Sequence, residues 1–182
     1  MLQRHFFFLS KAFSIKAFSV KSLLIGLFLS QIFHGTSIAT VQSGVVPPVP
    51  VASDLAHDGN LARQERKPIL LMFSAEDCEY CQRLEEDVIR PMLINGELQQ
   101  RVILRKVMID SIDRLKDFKG GVRNPDDFAY GRGVQVTPTL QFVDANGEQL
   151  MPQMIGYQSV DWFGAYLENA IGGSEQKLGA SR

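Results

Sequence analysis

Cysteine and histidine are scarce in this chain of 182 residues, which contains two of the first and three of the second. His5 and His34 lie in the N-terminal segment interpreted below as an export leader, so the folded part keeps only His57. Structural zinc usually takes four Cys or His ligands, and a cysteine hydrolase needs a base beside its thiol. His57 falls on the predicted surface of an N-terminal helix. We therefore expect neither a metal site nor a cysteine–histidine hydrolase.

The chain also lacks a surplus of positive charge, with a formal net charge of −1. Residues 1–39 carry four basic residues and no acidic ones, which leaves 15 basic against 20 acidic residues in the remainder. A mildly acidic domain has no electrostatic footprint for nucleic acid and no basic face for anionic lipid. Nucleic acid and the membrane surface are therefore excluded as expected partners of the folded domain.

No long hydrophobic run is present either. The apolar stretch at residues 23–33 is too short for a membrane span, which needs about 20 residues. Preceded by scattered lysines and followed by the small residues Ser37 and Ala39, it is typical of an export signal, so we predict a signal peptide over residues 1–39. An uncleaved N-terminal anchor is the alternative. Either way the cysteines reach a compartment where disulfides persist, which predicts a periplasmic protein, tethered to the membrane if the leader is retained.

Three prolines follow in residues 40–52, which we interpret as an extended linker. We predict the folded domain over residues 53–173. The paired glycines Gly172 and Gly173 are expected to stop the last helix, leaving residues 174–182 as a flexible tail.

The most informative stretch is residues 67–91, which contains both cysteines. An apolar run at residues 69–73 predicts a buried strand, and the spacing of Leu84, Val88 and Ile89 predicts a helix. Cys78 and Cys81 stand between the two, at the start of that helix, with Asp77 as the expected N-cap.

A sulfur at a helix N-terminus is favoured as thiolate by the unpaired N–H groups and the macrodipole. Two cysteines three residues apart can close a small disulfide, and only the first needs to be exposed. Cys78 is therefore the expected nucleophile and Cys81 the resolving thiol, with no cofactor beyond this redox-active pair. An inert structural disulfide, or two buried thiols, is the alternative that the motif alone leaves open.

The rest of the chain predicts an α/β domain. Branched apolar residues at 102–109 predict a second strand, parallel to the first, because a helix connects the two. The expected remainder comprises a helix over residues 54–66 capped by Ser53, a kink at Pro91, a loop over 111–122, a helix from Asn124-Pro125, a strand at 140–143, a turn at 144–147, an antiparallel strand at 148–151 and a last helix starting near Ser159 or Asp161.

With the segments FSAEDCEYC, VTPTLQFVDANGE and GYQSVDWFGAYL, this order resembles the thioredoxin superfamily, and most of all its exported bacterial members. The resemblance covers about residues 54–172. It implies a thioredoxin fold, with a mixed central sheet of about four strands flanked by helices. It also implies that Pro138 is a cis-proline facing the disulfide, and that Thr137 binds substrate backbone and tunes the sulfurs.

Two features depart from the pattern of thioredoxins proper. Met72 and Ser74 occupy the strand positions where those proteins carry a buried acid, and Glu79-Tyr80 replaces Gly-Pro between the cysteines. A proton-shuttling role for a buried strand acid is therefore not expected. Glu76, Asp77 and Glu85 are the candidates to replace it, although each is more typical of a solvated charge at a helix end.

The predicted reaction is thiol–disulfide exchange with protein substrates. Acidic residues near Cys78 oppose its ionisation, which favours a reductase or isomerase over a strong oxidant. A membrane thiol reductase or oxidase is the expected electron partner, and the domain is expected to be a monomer. The alternatives are a binding or chaperone-like module whose disulfide is structural, and a copper-delivery protein using soft cysteine ligands, with Met151 and Met154 near the last strand.

Overall fold

The computed structural model describes residues 47–180, which are built around one four-stranded mixed sheet. Its strands are β1 (Ile69–Ser74), β2 (Ile103–Met108), β5 (Thr139–Val143) and β6 (Met154–Ile155). Their order across the sheet is β2-β1-β5-β6, with β2 parallel to β1 and the other two pairs antiparallel. All six residues of β1 are buried, as a central strand covered on both faces requires. The predicted four-stranded mixed sheet flanked by helices is confirmed.

Helices cover both faces of this sheet. They are α1 (Leu55–Glu65), α2 (Glu79–Leu84), α3 (Arg90–Ile94), α4 (Glu97–Arg101), α5 (Pro125–Gly131) and α6 (Val160–Ala180). Because successive strand residues point to opposite faces, Leu70 and Met72 join a core with α2, α3 and α6, whereas Leu71 and Phe73 join a second core with α1 and α5. The sheet therefore separates two apolar clusters and holds its strands rigidly between them.

The helix after the cysteines contains a π-helical turn, Glu85–Ile89, between α2 and α3. Arg90 N–H bonds the carbonyl of Glu85, five residues back, so the wider turn falls directly before Pro91. A proline has no N–H to offer and its ring clashes one turn back, which a π turn relieves. The predicted irregularity at Pro91 thus takes this form.

Two predicted helix caps are wrong by one residue. Helix α1 is capped by Asp54, whose Oδ1 accepts from His57 N–H at 2.8 Å, and not by Ser53. Helix α2 is capped by Cys78 itself, and not by Asp77. In the second case the sulfur takes the position that a carboxylate was expected to fill.

The loop predicted over residues 111–122 is also wrong in part, because it contains a small hairpin. Strands β3 (Leu115–Lys116) and β4 (Val122–Arg123) pair antiparallel. Asp117 closes the turn between them by accepting from the N–H groups of Lys119 and Gly121 and from Arg123 Nε. These charge-assisted bonds, led by that from Arg123, lower the pKa of Asp117.

Residues 148–151 pair back antiparallel as predicted, but only through a single bridge and not as a regular strand; the turn before them is as expected, with Gly147 at φ +86°. Gln149 bridges Val143 of β5, the Glu148 carbonyl accepts from Asp144 N–H at 2.8 Å, and Leu150 N–H bonds the Phe142 carbonyl at 2.8 Å. The pairing does not continue through Pro152, which cannot donate to the ladder. Regular pairing resumes only in β6, at the edge of the sheet.

The stop predicted at Gly172-Gly173 is wrong, because α6 runs on to Ala180. Residues 174–180 are thus helical and not a flexible tail. Gly173 packs under Met151, where a Cβ would lie 2.7 Å from Met151 Cε. Arg101 on α4 also pairs with Glu168 and Glu175 of α6, at 2.7 Å each. These tertiary contacts offset the weak helix propensity of the two glycines.

The predicted leader and most of the linker lie outside the described residues. No helix among residues 47–180 is long and apolar enough to cross a membrane.

Candidate functional site

The two cysteines lie at the junction between β1 and α2. Cys78 has extended backbone angles, and its sulfur accepts the N–H of Cys81 at 3.2 Å. Its carbonyl accepts from Cys81 and Gln82, so Cys78 closes the first turn of the helix. The strand is buried and the helix begins at its exposed end, which fixes the sulfur at the tip of the sheet.

Cys78 and Cys81 form a disulfide with Cα atoms 5.2 Å apart. The two sulfurs differ in access: Cys78 is half-buried, whereas Cys81 is 1 % exposed and belongs to the core. A thiol or disulfide of another molecule can therefore reach only Cys78. The asymmetry is what a nucleophile and an internal resolving thiol require.

Thr137 and Pro138 lie at the same end of the sheet, because β5 runs antiparallel to β1 and begins where β1 ends. The peptide bond between them is cis. The Thr137 hydroxyl donates to Cys78 Sγ at 3.4 Å, and the Pro138 carbonyl accepts from Gly156 N–H at 2.8 Å. The structure thus brings all four predicted site residues to one place.

The rim around Cys78 is acidic. Glu76, Asp77 and Glu79 are exposed, and Glu76 N–H bonds Asp110 Oδ2 at 2.7 Å, which adds a fourth carboxylate from the loop after β2. Arg83 is the nearest cation in sequence, and its guanidinium lies 5.8 Å from the centre of the Tyr157 ring. Like charge on this rim disfavours a thiolate at Cys78, in opposition to the helix terminus.

Behind the disulfide, a cavity of about 290 Å³ is lined by Cys81, Glu85 and Lys106 among others. Lys106 Nζ bonds Glu85 Oε1 at 2.8 Å, and both side chains are largely buried. Glu85 is therefore no solvated helix-end charge; Glu76 and Asp77, the other two candidates, are exposed. Sequence reasoning missed Lys106, although one signal was present: Glu85 follows Cys81 by one helical turn, so both share a face.

Tyr157 connects the cysteine helix to the segment between β6 and α6. Its hydroxyl donates to Asp87 Oδ2 at 2.8 Å, and its ring meets Phe163 edge-on at 5.3 Å. Burial, followed by the bond to Asp87, raises the pKa of Tyr157 to about 12. Since Gly156 precedes it and bonds Pro138, this tyrosine also helps to hold the cis-proline segment against the cysteine helix.

Within residues 47–180, no three side chains of His, Cys, Asp or Glu are grouped as ligands for a metal ion. Met151 and Met154 are half-buried and pack against the core.

Residues 55–171 match a family model described as a thioredoxin-like domain. The fold is similar to a solved structure described as DsbH oxidoreductase, with a TM-score of 0.51 and 17 % identity, over 70 % of this chain and 88 % of that one. A thioredoxin-fold protein from Helicobacter pylori (TM-score 0.48, 24 % identity, 60 % and 72 % covered) is also similar. The oxidised C-terminal domain of DsbD from Neisseria meningitidis is similar too, with a TM-score of 0.46 and 15 % identity, over 66 % of this chain and 98 % of that one. No curated protein sequence matches the chain.

Proposed function

The chain belongs to the thioredoxin-like domain family, and from that premise we propose that it is a thiol–disulfide oxidoreductase acting on protein substrates. The observation that carries the proposal is the unequal access to the two sulfurs, with Cys78 half-buried beside Thr137 and Cys81 enclosed. An inert structural disulfide needs no exposed sulfur and no hydroxyl directed at it.

The reaction takes two displacement steps. The Cys78 thiolate attacks one sulfur of a substrate disulfide, whose S–S bond breaks, and the other substrate sulfur leaves as thiolate. Cys81 then loses its proton and attacks Cys78 Sγ, which releases the second substrate sulfur and leaves the Cys78–Cys81 disulfide. The substrate gains two electrons and the protein loses two, so an electron donor must reduce the pair before the next cycle.

The second step needs an acceptor for the proton of Cys81, whose side chain is only 1 % exposed. The cavity that reaches Cys81 also reaches Glu85 and Lys106, which form the largely buried ion pair on that side of the disulfide. We assign the Glu85 carboxylate as the proton acceptor and Lys106 as the residue that holds it in place. Water within the cavity can carry the proton over any remaining distance.

The direction of exchange follows from the charges on the rim. With Glu76, Asp77 and Glu79 around Cys78 and no cation between the cysteines, the thiolate is weakly stabilised, which favours a reducing couple. We place the protein in the periplasm as a monomeric reductase or isomerase, supplied with electrons by a membrane thiol reductase. The structural neighbour described as DsbH oxidoreductase supports the oxidoreductase part of this assignment.

The proposal is tested by assaying disulfide reduction in insulin with dithiothreitol as the electron donor. Activity is expected in the wild type, none in Cys78→Ser, and a stable mixed disulfide with substrate in Cys81→Ser. Equal activity of wild type and Cys78→Ser would contradict the proposal.

The same samples separate the two alternative functions. A chaperone-like module would keep Cys78 resistant to alkylation in the reduced protein until it unfolds. A copper carrier would retain Cu(I) stoichiometrically after reduction.

The proton-acceptor role has its own measurement, the rate at which the Cys78 mixed disulfide resolves as a function of pH. Glu85→Gln is expected to slow this step at neutral pH by about 10²-fold, the lower end for general bases, and to restore it as pH rises and Cys81 ionises unaided. Alkylation of Cys78, which does not involve Cys81, should proceed at an unchanged rate.

A further inference from the structure

A pocket of about 310 Å³ lies between the β3–β4 hairpin, the end of α5 and the turn after β5. None of Cys78, Cys81, Thr137 and Pro138 lines it, so it is separate from the disulfide site. Its volume is at the lower end of the range for small-molecule sites. The pocket can therefore hold a small ligand, and its central feature is Arg132.

Arg132 is held in place by β5. Its Nε donates to Gln141 Oε1 at 2.8 Å, and Gln141 Nε2 donates to the Arg132 carbonyl at 3.0 Å. Gln141 is fully buried. The guanidinium also lies over two aromatic rings, with its central carbon 5.6 Å from the centre of the Phe128 ring and 5.9 Å from that of Phe118. An arginine fixed in this way loses little side-chain freedom when it binds a ligand.

This guanidinium has no carboxylate bound to it. Within residues 47–180, Nε–H is the only one of its N–H donors with a protein acceptor, and none of the ion pairs involves Arg132. Arg105 and Lys106, which are also partly buried, each pair with a carboxylate, at 2.6 Å and 2.8 Å. Burial lowers the pKa of Arg132, and the nearby charge of Glu148 offsets this only in part. Because a cation that loses hydration without a counter-ion is costly, an anionic group of a ligand would stabilise this pocket.

The other charges of the pocket indicate which kind of anion fits. Its charged lining residues are Asp117, Lys119, Arg123, Asp127, Arg132 and Glu148. Arg123 and Asp117 pair with each other, which leaves two cations and two carboxylates. A phosphate ion beside Arg132 would also face Asp127 and Glu148, and like charge disfavours this arrangement. A zwitterion matches the pocket, because each of its charges can face a protein charge of opposite sign.

The spacing of these charges fits a small zwitterion. Glu148 is close enough to Arg132 to act on its pKa, but the two side chains form no ion pair. A carboxylate and an ammonium group on one carbon atom can fill such a gap. The carboxylate can accept two parallel hydrogen bonds from the guanidinium fork, which is the strong geometry for this pair.

The uncharged part of the lining is largely apolar. It contains the rings of Phe118 and Phe128. Phe118 packs on Gly147, where a Cβ would lie 2.5 Å from the ring. Asn146 is the uncharged polar side chain of the lining, and its amide already bonds Arg63 and Asp144. An aliphatic group of a ligand can therefore lie against the rings, where it is removed from water.

We propose that this pocket binds a free α-amino acid with an aliphatic side chain, whose carboxylate pairs with Arg132 and whose ammonium group pairs with Glu148 and Asp127. The proposal goes beyond the proposed function and does not depend on it, because no step of disulfide exchange involves this pocket.

Isothermal titration calorimetry of the oxidised full-length protein with L-leucine measures the binding directly. Saturable binding with a dissociation constant of about 1 mM or below is expected, which is a modest affinity for a ligand of this size. L-Leucinamide lacks the carboxylate and 4-methylpentanoate lacks the ammonium group, but both keep the side chain. Each is expected to bind at least about tenfold more weakly, because one charge of the pocket is left without its partner.

Two variants assign the binding residues. Arg132→Lys keeps the charge and removes the fork, so L-leucine should bind about tenfold more weakly. Arg66→Lys, at an exposed arginine outside the pocket, is the matched control and should bind as the wild type does. Glu148→Gln removes a partner of the ammonium group alone, so L-leucine should bind about tenfold more weakly while 4-methylpentanoate binds no more weakly than before. Glu97→Gln, at an exposed acid on α4, is the control for this change.

Three results would overturn the inference: no saturation by L-leucine up to about 10 mM, tenfold above the expected constant, equal binding of L-leucine and either analogue, or equal losses in the control variants. Saturable binding of inorganic phosphate that L-leucine does not displace would show an anion site and would overturn the assigned ligand class. The comparison of the three probes uses the wild type alone, so misfolding of a variant leaves the test intact. None of the probes contains a thiol or a disulfide, so their binding is decided whether or not the protein exchanges disulfides.

Discussion

The hydrogen bond from Thr137 to Cys78 gives the most direct test of how the site sets its redox poise. Thr137→Val removes the hydroxyl and keeps the shape of the side chain. In the reduced protein this hydroxyl faces a sulfur that can carry a negative charge, and bonds to charged groups contribute about 1.5 to 3 kcal/mol. We take the lower end, because Cys78 is half-buried and the 3.4 Å contact is long.

About 1.4 kcal/mol corresponds to 30 mV for a two-electron couple. Since the bond stabilises the reduced form, its loss is expected to make the couple more reducing by about 30 mV. Equilibration with glutathione at fixed pH, followed by quantification of the two redox forms, gives the potential of each variant. Thr137→Ser keeps a hydroxyl and should stay within about 10 mV of the wild type on the same scale. A valine variant with an unchanged potential, or a serine variant shifted as far as valine, would refute the assigned role of the hydroxyl.

Two further predictions concern stability. Gly59→Ala would place a Cβ 2.4 Å from the backbone oxygen of Ala145, so we expect it to destabilise the fold by about 1 to 3 kcal/mol. Gly164→Ala has nothing within 4 Å of the new Cβ and should stabilise the fold by about 0.5 to 1 kcal/mol. Urea unfolding of both variants measures these changes, and equal shifts in the free energy of unfolding would contradict the prediction. For Tyr157, burial and the bond to Asp87 raise the pKa to about 12. The contribution of this neutral phenol to the free energy of unfolding is therefore complete below pH 10 and is lost as the pH rises towards 12. Relative to Tyr157→Phe, the wild type should lose on the order of 1 to 2 kcal/mol of unfolding free energy over that interval, and parallel pH profiles would argue against it.

The sequence predicts well where a local pattern and its tertiary setting agree. The apolar run of β1 is a strand because both faces of the sheet are covered, and the helix after Cys81 follows from the spacing of Leu84 and Val88. The carboxyl end of β1 meets the amino end of β5 once the strands pair antiparallel. For that reason the resemblance could place Thr137 beside Cys78.

The sequence predicts the ends of helices and strands poorly where tertiary contacts determine them. Gly172-Gly173 is a local stop signal, yet Met151 packs onto Gly173 and Arg101 reaches Glu175 from another helix. The strand expected at residues 148–151 is reduced to one bridge between Gln149 and Val143, because Pro152 cannot donate to the ladder, and regular pairing resumes in β6. For the last helix the deciding partners lie far away in sequence, so a local pattern has no access to them.

Glu85, the buried acid of the site, could likewise not be chosen from the local sequence alone. Met72 stands where the resemblance expects a carboxylate, and its register partner on β2 is Lys106. A buried lysine facing an apolar neighbour would lose its hydration without compensation, which is costly enough to demand a counter-ion within reach. Glu85 supplies it from the helix, one turn past Cys81. The ion pair behind Cys81 thus joins Lys106 of β2 to Glu85 of the helix. The position of Lys106 determines which of the nearby acidic residues can form this pair.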